Sequence, residues 1–128
     1  MFKDFNKWNE KKKNIHQKNF VPFFHTREVW WCCLGLNVGF EQDGSGQEYY
    51  RPVLILKGMS RYTFVAIPLT SSLDQHKLRF PIGRVEGKEA RGLLSQIRVL
   101  DAKRLVRKVG YLDQAIFDGI KKAVKDML

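Results

Sequence analysis

The sequence has few of the residues that build metal and redox sites. Among 128 residues there are two cysteines, Cys32 and Cys33, and three histidines, His16, His25 and His76. The cysteines are adjacent, so on a strand they point to opposite faces and a bridge between them would be strained. Buried free thiols are expected instead. With no Cys-x-x-Cys spacing and scattered histidines, neither a disulfide framework nor a zinc site is expected. Long apolar runs are missing as well. The longest, Val29 to Leu36, has eight residues, against the ~18 needed to cross a bilayer as a helix. Lysines at 3, 7, 11, 12 and 13 leave no apolar region of the kind a secretory signal requires, and a cytoplasmic location is expected. Walker A, Gly-x-Gly-x-x-Gly, His-Glu-x-x-His and Gly-x-Ser-x-Gly motifs are absent, which argues against nucleotide hydrolysis, dinucleotide chemistry and zinc proteolysis. Carboxylates are sparse in the middle of the chain, so a two-metal nuclease has little to be built from, and no metal or other cofactor is expected.

What is present describes a small globular protein with a basic bias. Hydrophobic residues make up 44% and charged residues 28% of 15.0 kDa, which fits one compact domain. The net charge is +10, favouring a polyanionic partner such as nucleic acid, an anionic membrane surface or an acidic protein. The surplus is uneven: residues 1–27 carry +5, residues 28–76 carry −2 and residues 77–128 carry +7. Basic ends of this kind also occur as plain solvated faces.

Phe5, Trp8 and Ile15 recur at helical spacing within Met1 to Asn19, on an otherwise charged surface interrupted by Lys12, which predicts a weakly amphipathic helix. Phe20 to Phe24 is apolar and contains Pro22, so it is expected to leave the helix and dock on the domain. Together residues 1–24 form a basic, helical extension preceding a domain over residues 25–128. Strand patterns follow at Glu28 to Leu36, Pro52 to Leu56, Thr63 to Leu69, Gly92 to Leu100 and Leu105 to Tyr111. Between the first two, Asn37 to Arg51 forms a long polar connection with Asp43-Gly44 and Ser45-Gly46 turns, a length that often marks function. At the C-terminus Asp113 is positioned as an N-cap, and Ile116, Ile120, Ala123, Val124 and Met127 form a helical stripe. The pattern predicts a mainly antiparallel β-barrel closed by a C-terminal helix, with an added N-terminal helix.

Polar groups gather at strand ends. Arg51 precedes the apolar run Pro52 to Leu56, and its fixed fork of donors suits phosphate oxygens. Thr70, Ser71 and Ser72 emerge together after Val65 to Leu69. Tyr49 and Tyr50 offer faces of the kind that stack unpaired bases. Each also has an ordinary structural reading: the arginine pairs with Glu41 or Glu48, the hydroxyls cap a turn, the tyrosines are core.

As a set these residues say more. Glu28-Val29-Trp30-Trp31, then Asn37-Val38-Gly39-Phe40-Glu41-Gln42 with Gly46, then Arg51-Pro52-Val53-Leu54-Ile55-Leu56, Ile67-Pro68-Leu69-Thr70-Ser71 and Leu94-Ser95-Gln96-Ile97-Arg98-Val99-Leu100-Asp101 occur in one order. The sequence in this respect resembles the MazF/PemK family of toxins from type II toxin–antitoxin systems, from about Arg27 to the C-terminal helix. The resemblance implies an SH3-like β-barrel, as in the CcdB/PemK-like plasmid maintenance toxins, usually a homodimer. It implies cleavage of single-stranded mRNA at short sequences without a metal, and an antitoxin protein whose flexible segment blocks the RNA groove. It also implies Arg51 and Thr70 as catalytic residues, Glu41 as part of the loop beside the site and Gln96 at its edge; Tyr49, Tyr50, Ser71 and Ser72 are expected as further RNA contacts from their own chemistry.

The sequence departs from the Kid-like subgroup of that family. Leu93 and Ser95 stand where that subgroup has an arginine and an aspartate, and Phe40 where it has a histidine, so its acid–base scheme does not transfer. In metal-free cleavage the substrate's own 2′-hydroxyl attacks, giving a 2′,3′-cyclic phosphate and a 5′-hydroxyl, and the protein must orient the phosphate and stabilise its charge. Arginine suits the clamp and is an inefficient proton shuttle, while threonine is a poor base. Glu41, by its place in the loop, and His76, because histidine titrates near neutral pH, are the two expected candidates for the base. Two other classes stay open: a CcdB-like toxin that binds DNA gyrase without cutting anything, and a non-catalytic RNA-binding barrel.

Overall fold

The structure is a computed structural model that describes residues 1–72 and 74–128. Two helices, α1 (Phe5–His16) and α2 (Gln114–Met127), flank seven strands: β1 (Glu28–Cys33), β2 (Tyr50–Gly58), β3 (Thr63–Thr70), β4 (Arg79–Val85), β5 (Lys88–Leu93), β6 (Arg98–Asp101) and β7 (Leu105–Tyr111). All pair antiparallel in the order β4-β5-β3-β2-β1-β7, with β6 also on β3, and the sheet is curled.

The continuous apolar runs of β2 and β3 are explained by burial on both faces. Strand side chains alternate: Leu54, Ile67 and Leu69 enter a core with Phe117, Ile120 and Val124 of α2. Val53, Ile55, Phe64 and Ala66 enter a second core with Trp30, Leu100 and Leu105. The adjacent thiols divide in the same way. Cys32 lies in the second core, and Cys33 packs with Trp8, Ile15 and Tyr49; both are free and buried.

Several boundaries differ from the sequence reading. β1 ends at Cys33 rather than Leu36, because the chain turns at Gly35 with φ +72°. The expected strand Gly92 to Leu100 is three elements: the end of β5, a 3-10 turn at Leu94–Gln96, and β6. The β4–β5 hairpin was not visible in the sequence pattern, since β4 is mostly solvent-facing and buries only Ile82 fully. In α2, Asp113 stands at the N-cap without a side-chain cap bond, and the buried face is centred on Phe117, Ile120 and Val124.

The expected N-terminal helix is present and docked. Asp4 accepts the Lys7 amide as its N-cap, and Trp8 and Ile15 are buried. Residues 20–24 lie along the β2–β3 hairpin: Val21 and Phe24 pack on the second core, and Arg61 donates to the carbonyls of Val21 and Pro22 at 2.7 and 2.9 Å. Phe20 and Phe23 stay exposed.

Candidate functional site

Arg51 and Thr70 line one cleft of about 210 Å³ at the rim of the sheet. Arg51 stands second in β2 and Thr70 last in β3, so two neighbouring strands bring them to the same end. The guanidinium is fixed by backbone: Nε donates to the Asp43 carbonyl at 2.8 Å and one terminal nitrogen to the Leu69 carbonyl at 3.1 Å. An arginine carries five N–H donors, so this anchorage leaves donors over for a ligand. Burial pulls the Arg51 pKa below its ordinary value, with Asp43 acting in the opposite direction. Thr70 Oγ1 accepts the Ser72 amide at 3.1 Å, and Ser71 also lines the cleft.

The cleft is also lined by Trp31, Lys88 and Glu89, which the sequence reading missed as site residues. Lys88 and Glu89 face Val85 and Arg84 across the β4–β5 hairpin, and Arg107 of β7 pairs with Glu86 of its turn at 2.7 Å. The turn Glu86-Gly87, where both residues have positive φ, 49° and 81°, folds this charged segment back, and β5 pairs with β3. Glu89 supplies the carboxylate of the cleft.

The other expected residues fall elsewhere. Tyr49 is 7% exposed and packs edge-on to Trp8 at 5.3 Å between ring centres, so it offers no face for stacking. Tyr50 is on the opposite side of β2 from Arg51, as strand alternation requires, and its ring lies under Lys11. Both tyrosines therefore belong to the seat of α1. Ser72 is outside the cleft lining: its hydroxyl accepts from Asp74 N and from Arg79. Gln96 clasps the β1–β2 loop, accepting the Gln42 amide at 3.0 Å and donating to the Phe40 carbonyl at 3.3 Å.

Neither expected base lies in the cleft. Glu41 turns back on its own loop to accept the Val38 amide at 2.9 Å. His76 lies in a neighbouring basic depression with Lys77, Arg79 and Arg91. Arg91 of that depression stands opposite Thr70 of the cleft in the strand pairing and donates to the Ser72 carbonyl at 2.8 Å. Among the described residues no three His, Cys, Asp or Glu side chains are gathered as a metal site would need, and no helix is long and apolar enough to cross a membrane.

A curled antiparallel sheet closed by a C-terminal helix, with Arg51 and Thr70 at its rim, is the fold of solved MazF toxins. The chain belongs to the PemK-like, MazF-like toxins of type II toxin–antitoxin systems, whose family model matches residues 25–128. Its fold is similar to that of MazF from Deinococcus radiodurans, with TM-score 0.65 and 17% identity over 85% of this chain and 97% of that one. A Mycobacterium tuberculosis MazF toxin aligns with TM-score 0.60 and 17% identity over 78% and 94% of the two chains. An endoribonuclease from a mycobacterial species gives 0.61 and 18% over 84% and 93%. At these identities the likeness is one of fold. No curated protein matches the chain by sequence.

Proposed function

We propose that this toxin is an endoribonuclease that cuts single-stranded mRNA at short sequences without a metal. The observation that carries the reading is the joint placement of Arg51 and Thr70 in one cleft, with Arg51 anchored by two backbone carbonyls. A guanidinium held in this way is pre-organised for a phosphate, so charge developing on phosphorus meets fixed donors without reorganisation. Thr70 donates its hydroxyl to the same group, and Ser71 adds a second. The attacking nucleophile is the substrate's 2′-hydroxyl. Glu89, the carboxylate of the cleft, takes the role of general base in place of Glu41 and His76. The P–O2′ bond forms as the P–O5′ bond breaks, and the departing 5′-oxygen takes a proton from solvent, giving a 2′,3′-cyclic phosphate and a 5′-hydroxyl. The depression bearing Arg79 and Arg91 holds flanking phosphates.

A homodimer and a cognate antitoxin complete the reading. The fold is shared with MazE–MazF of D. radiodurans and with a mycobacterial endoribonuclease in complex with its cognate antitoxin, at TM-scores of 0.59 and 0.58. An acidic antitoxin segment laid over the cationic cleft would exclude RNA.

The test is incubation of purified protein with a long RNA in EDTA, beside Arg51→Ala, with the product ends identified. Discrete fragments ending in cyclic phosphate, absent in the variant, are expected. Intact RNA with folded, antitoxin-free protein would overturn the nuclease; blocked gyrase supercoiling would then favour the CcdB-like reading, and salt-sensitive RNA binding without product the passive barrel.

A further inference from the structure

Residues 1–24 lie outside the family match, yet their strongest polar contacts converge on the loop that flanks the cleft. The Lys3 side chain is 9% exposed, and its ammonium is surrounded by the β1–β2 loop. It donates to the carbonyls of Asn37 at 2.6 Å and Gly39 at 2.9 Å, and pairs with Asp43 Oδ2 at 2.9 Å. An ammonium has three N–H donors, so all are engaged. Asp43 Oδ1 accepts the Asn37 amide at 2.6 Å, which closes the loop on itself around the cation. The backbone carbonyl of the same Asp43 receives Arg51 Nε.

We propose that the N-terminal segment is a latch for the β1–β2 loop, with Lys3 as a positioning residue that fixes Asp43 and through it the Arg51 guanidinium. The inference rests on the reading of Arg51 as the phosphate clamp. Loop carbonyls that converge without a cation would repel one another and the Asp43 carboxylate, so removing Lys3 releases the segment from 37 to 43. The helix delivers Lys3 to this place. Trp8 enters against Gly35, where an added Cβ would lie 2.1 Å from the indole ring, and Lys11 pairs with Glu48 at 2.5 Å at the far end of the same loop. The loop is thus held at both ends by α1 and the residues just before it, and Gln96 holds its middle from the barrel side. Phe40, 91% exposed, is presented outward on this braced loop.

The test compares wild type with Lys3→Met, which keeps the aliphatic stem, and Lys7→Met, which removes the same charge from an exposed position of α1. Three readouts are taken: amide exchange at residues 37–43, solvent exchange of the Arg51 Nε–H by NMR, and kcat and KM on RNA. In Lys3→Met the loop amides and the Arg51 Nε–H are expected to exchange about tenfold faster or more, as loss of charge-assisted hydrogen bonds implies. A fall in kcat larger than the rise in KM is expected, with an unchanged melting temperature. Unchanged exchange at both places would overturn the latch. So would equal effects from Lys7→Met, or a looser loop with Arg51 Nε–H and kcat unaltered. If wild-type protein cuts no RNA, the nuclease reading fails, while the two exchange readouts still judge the latch.

Discussion

The seat of Trp8 can be tested by a double-mutant cycle with Gly35. Trp8 is 5% exposed. A buried aromatic of this type removes ~150–250 Å² from water, which at about 25 cal/mol per Å² gives roughly 4–6 kcal/mol as an upper bound. Measured truncations of buried Phe or Trp to Ala cluster at about 3–5 kcal/mol. An isolated helix of α1's length is marginal in water, so Trp8→Ala should undock α1 and leave the barrel folded. Native-state hydrogen exchange should show loss of protection at residues 5–16 and in the β1–β2 loop that Lys3 and Lys11 hold, with the barrel strands still protected. Gly35→Ala should undock α1 by a different route. Its new methyl meets the indole at 2.1 Å, and its φ of +72° adds a left-handed strain of ~1–2 kcal/mol. Once α1 is off, the methyl has nothing to strike. The double variant should therefore be no less stable to urea than Gly35→Ala alone, and the two single losses should exceed the double loss by about the docking free energy of α1. Additive losses, or full protection of α1 in Trp8→Ala, would refute the reasoning.

Three further outcomes follow from particular contacts. Burial alone would raise the Glu28 pKa, but hydrogen bonds from Trp30, the His25 amide and Lys108 outweigh it and hold the carboxyl below its ordinary value. The stability it contributes is thus present at neutral pH and is lost as pH falls through the lowered value; Glu28→Gln should lower the urea midpoint at pH 7 and flatten its dependence below about pH 5. Burial pushes the Cys32 thiol up to about 12, so native protein at pH 8 should resist iodoacetamide at this residue and react only after unfolding. Glu89→Gln should lower RNA cleavage by about 10²–10⁴-fold, the usual range for a general base; wild-type cleavage in this variant would remove Glu89 from the mechanism.

How much of this was legible in the sequence depended on what each segment buries. β2 and β3 were readable because two cores on opposite faces demand unbroken apolar runs, and α2 because its stripe covers one of them. The β4–β5 hairpin was not. Arg84, Lys88 and Glu89 are exposed, its buried apolar side chains are Ile82, Ala90 and Leu93, and its turn places the non-glycine Glu86 at positive φ. Neither hydrophobic alternation nor a strong turn dipeptide announces such a segment.

The same hairpin explains why the site was only half legible. Arg51 and Thr70 lie at the ends of strands that local pattern identifies, and strand ends are where side chains leave the core for a rim. Tyr49 and Tyr50 are beside Arg51 in sequence, but alternation sends Tyr50 to the other face, and Tyr49 adopts φ +62°, which turns it under Trp8. Adjacency in sequence placed them at the cleft; the pleat placed them under α1. Glu89 reverses the case, being far from Arg51 in sequence and yet lining the same cleft. A general base must reach the proton it removes, so its identity depends on pairing that a single sequence does not display. The carboxylate with the best sequence argument, Glu41, is occupied by its own loop, whereas the one with none stands in the cleft.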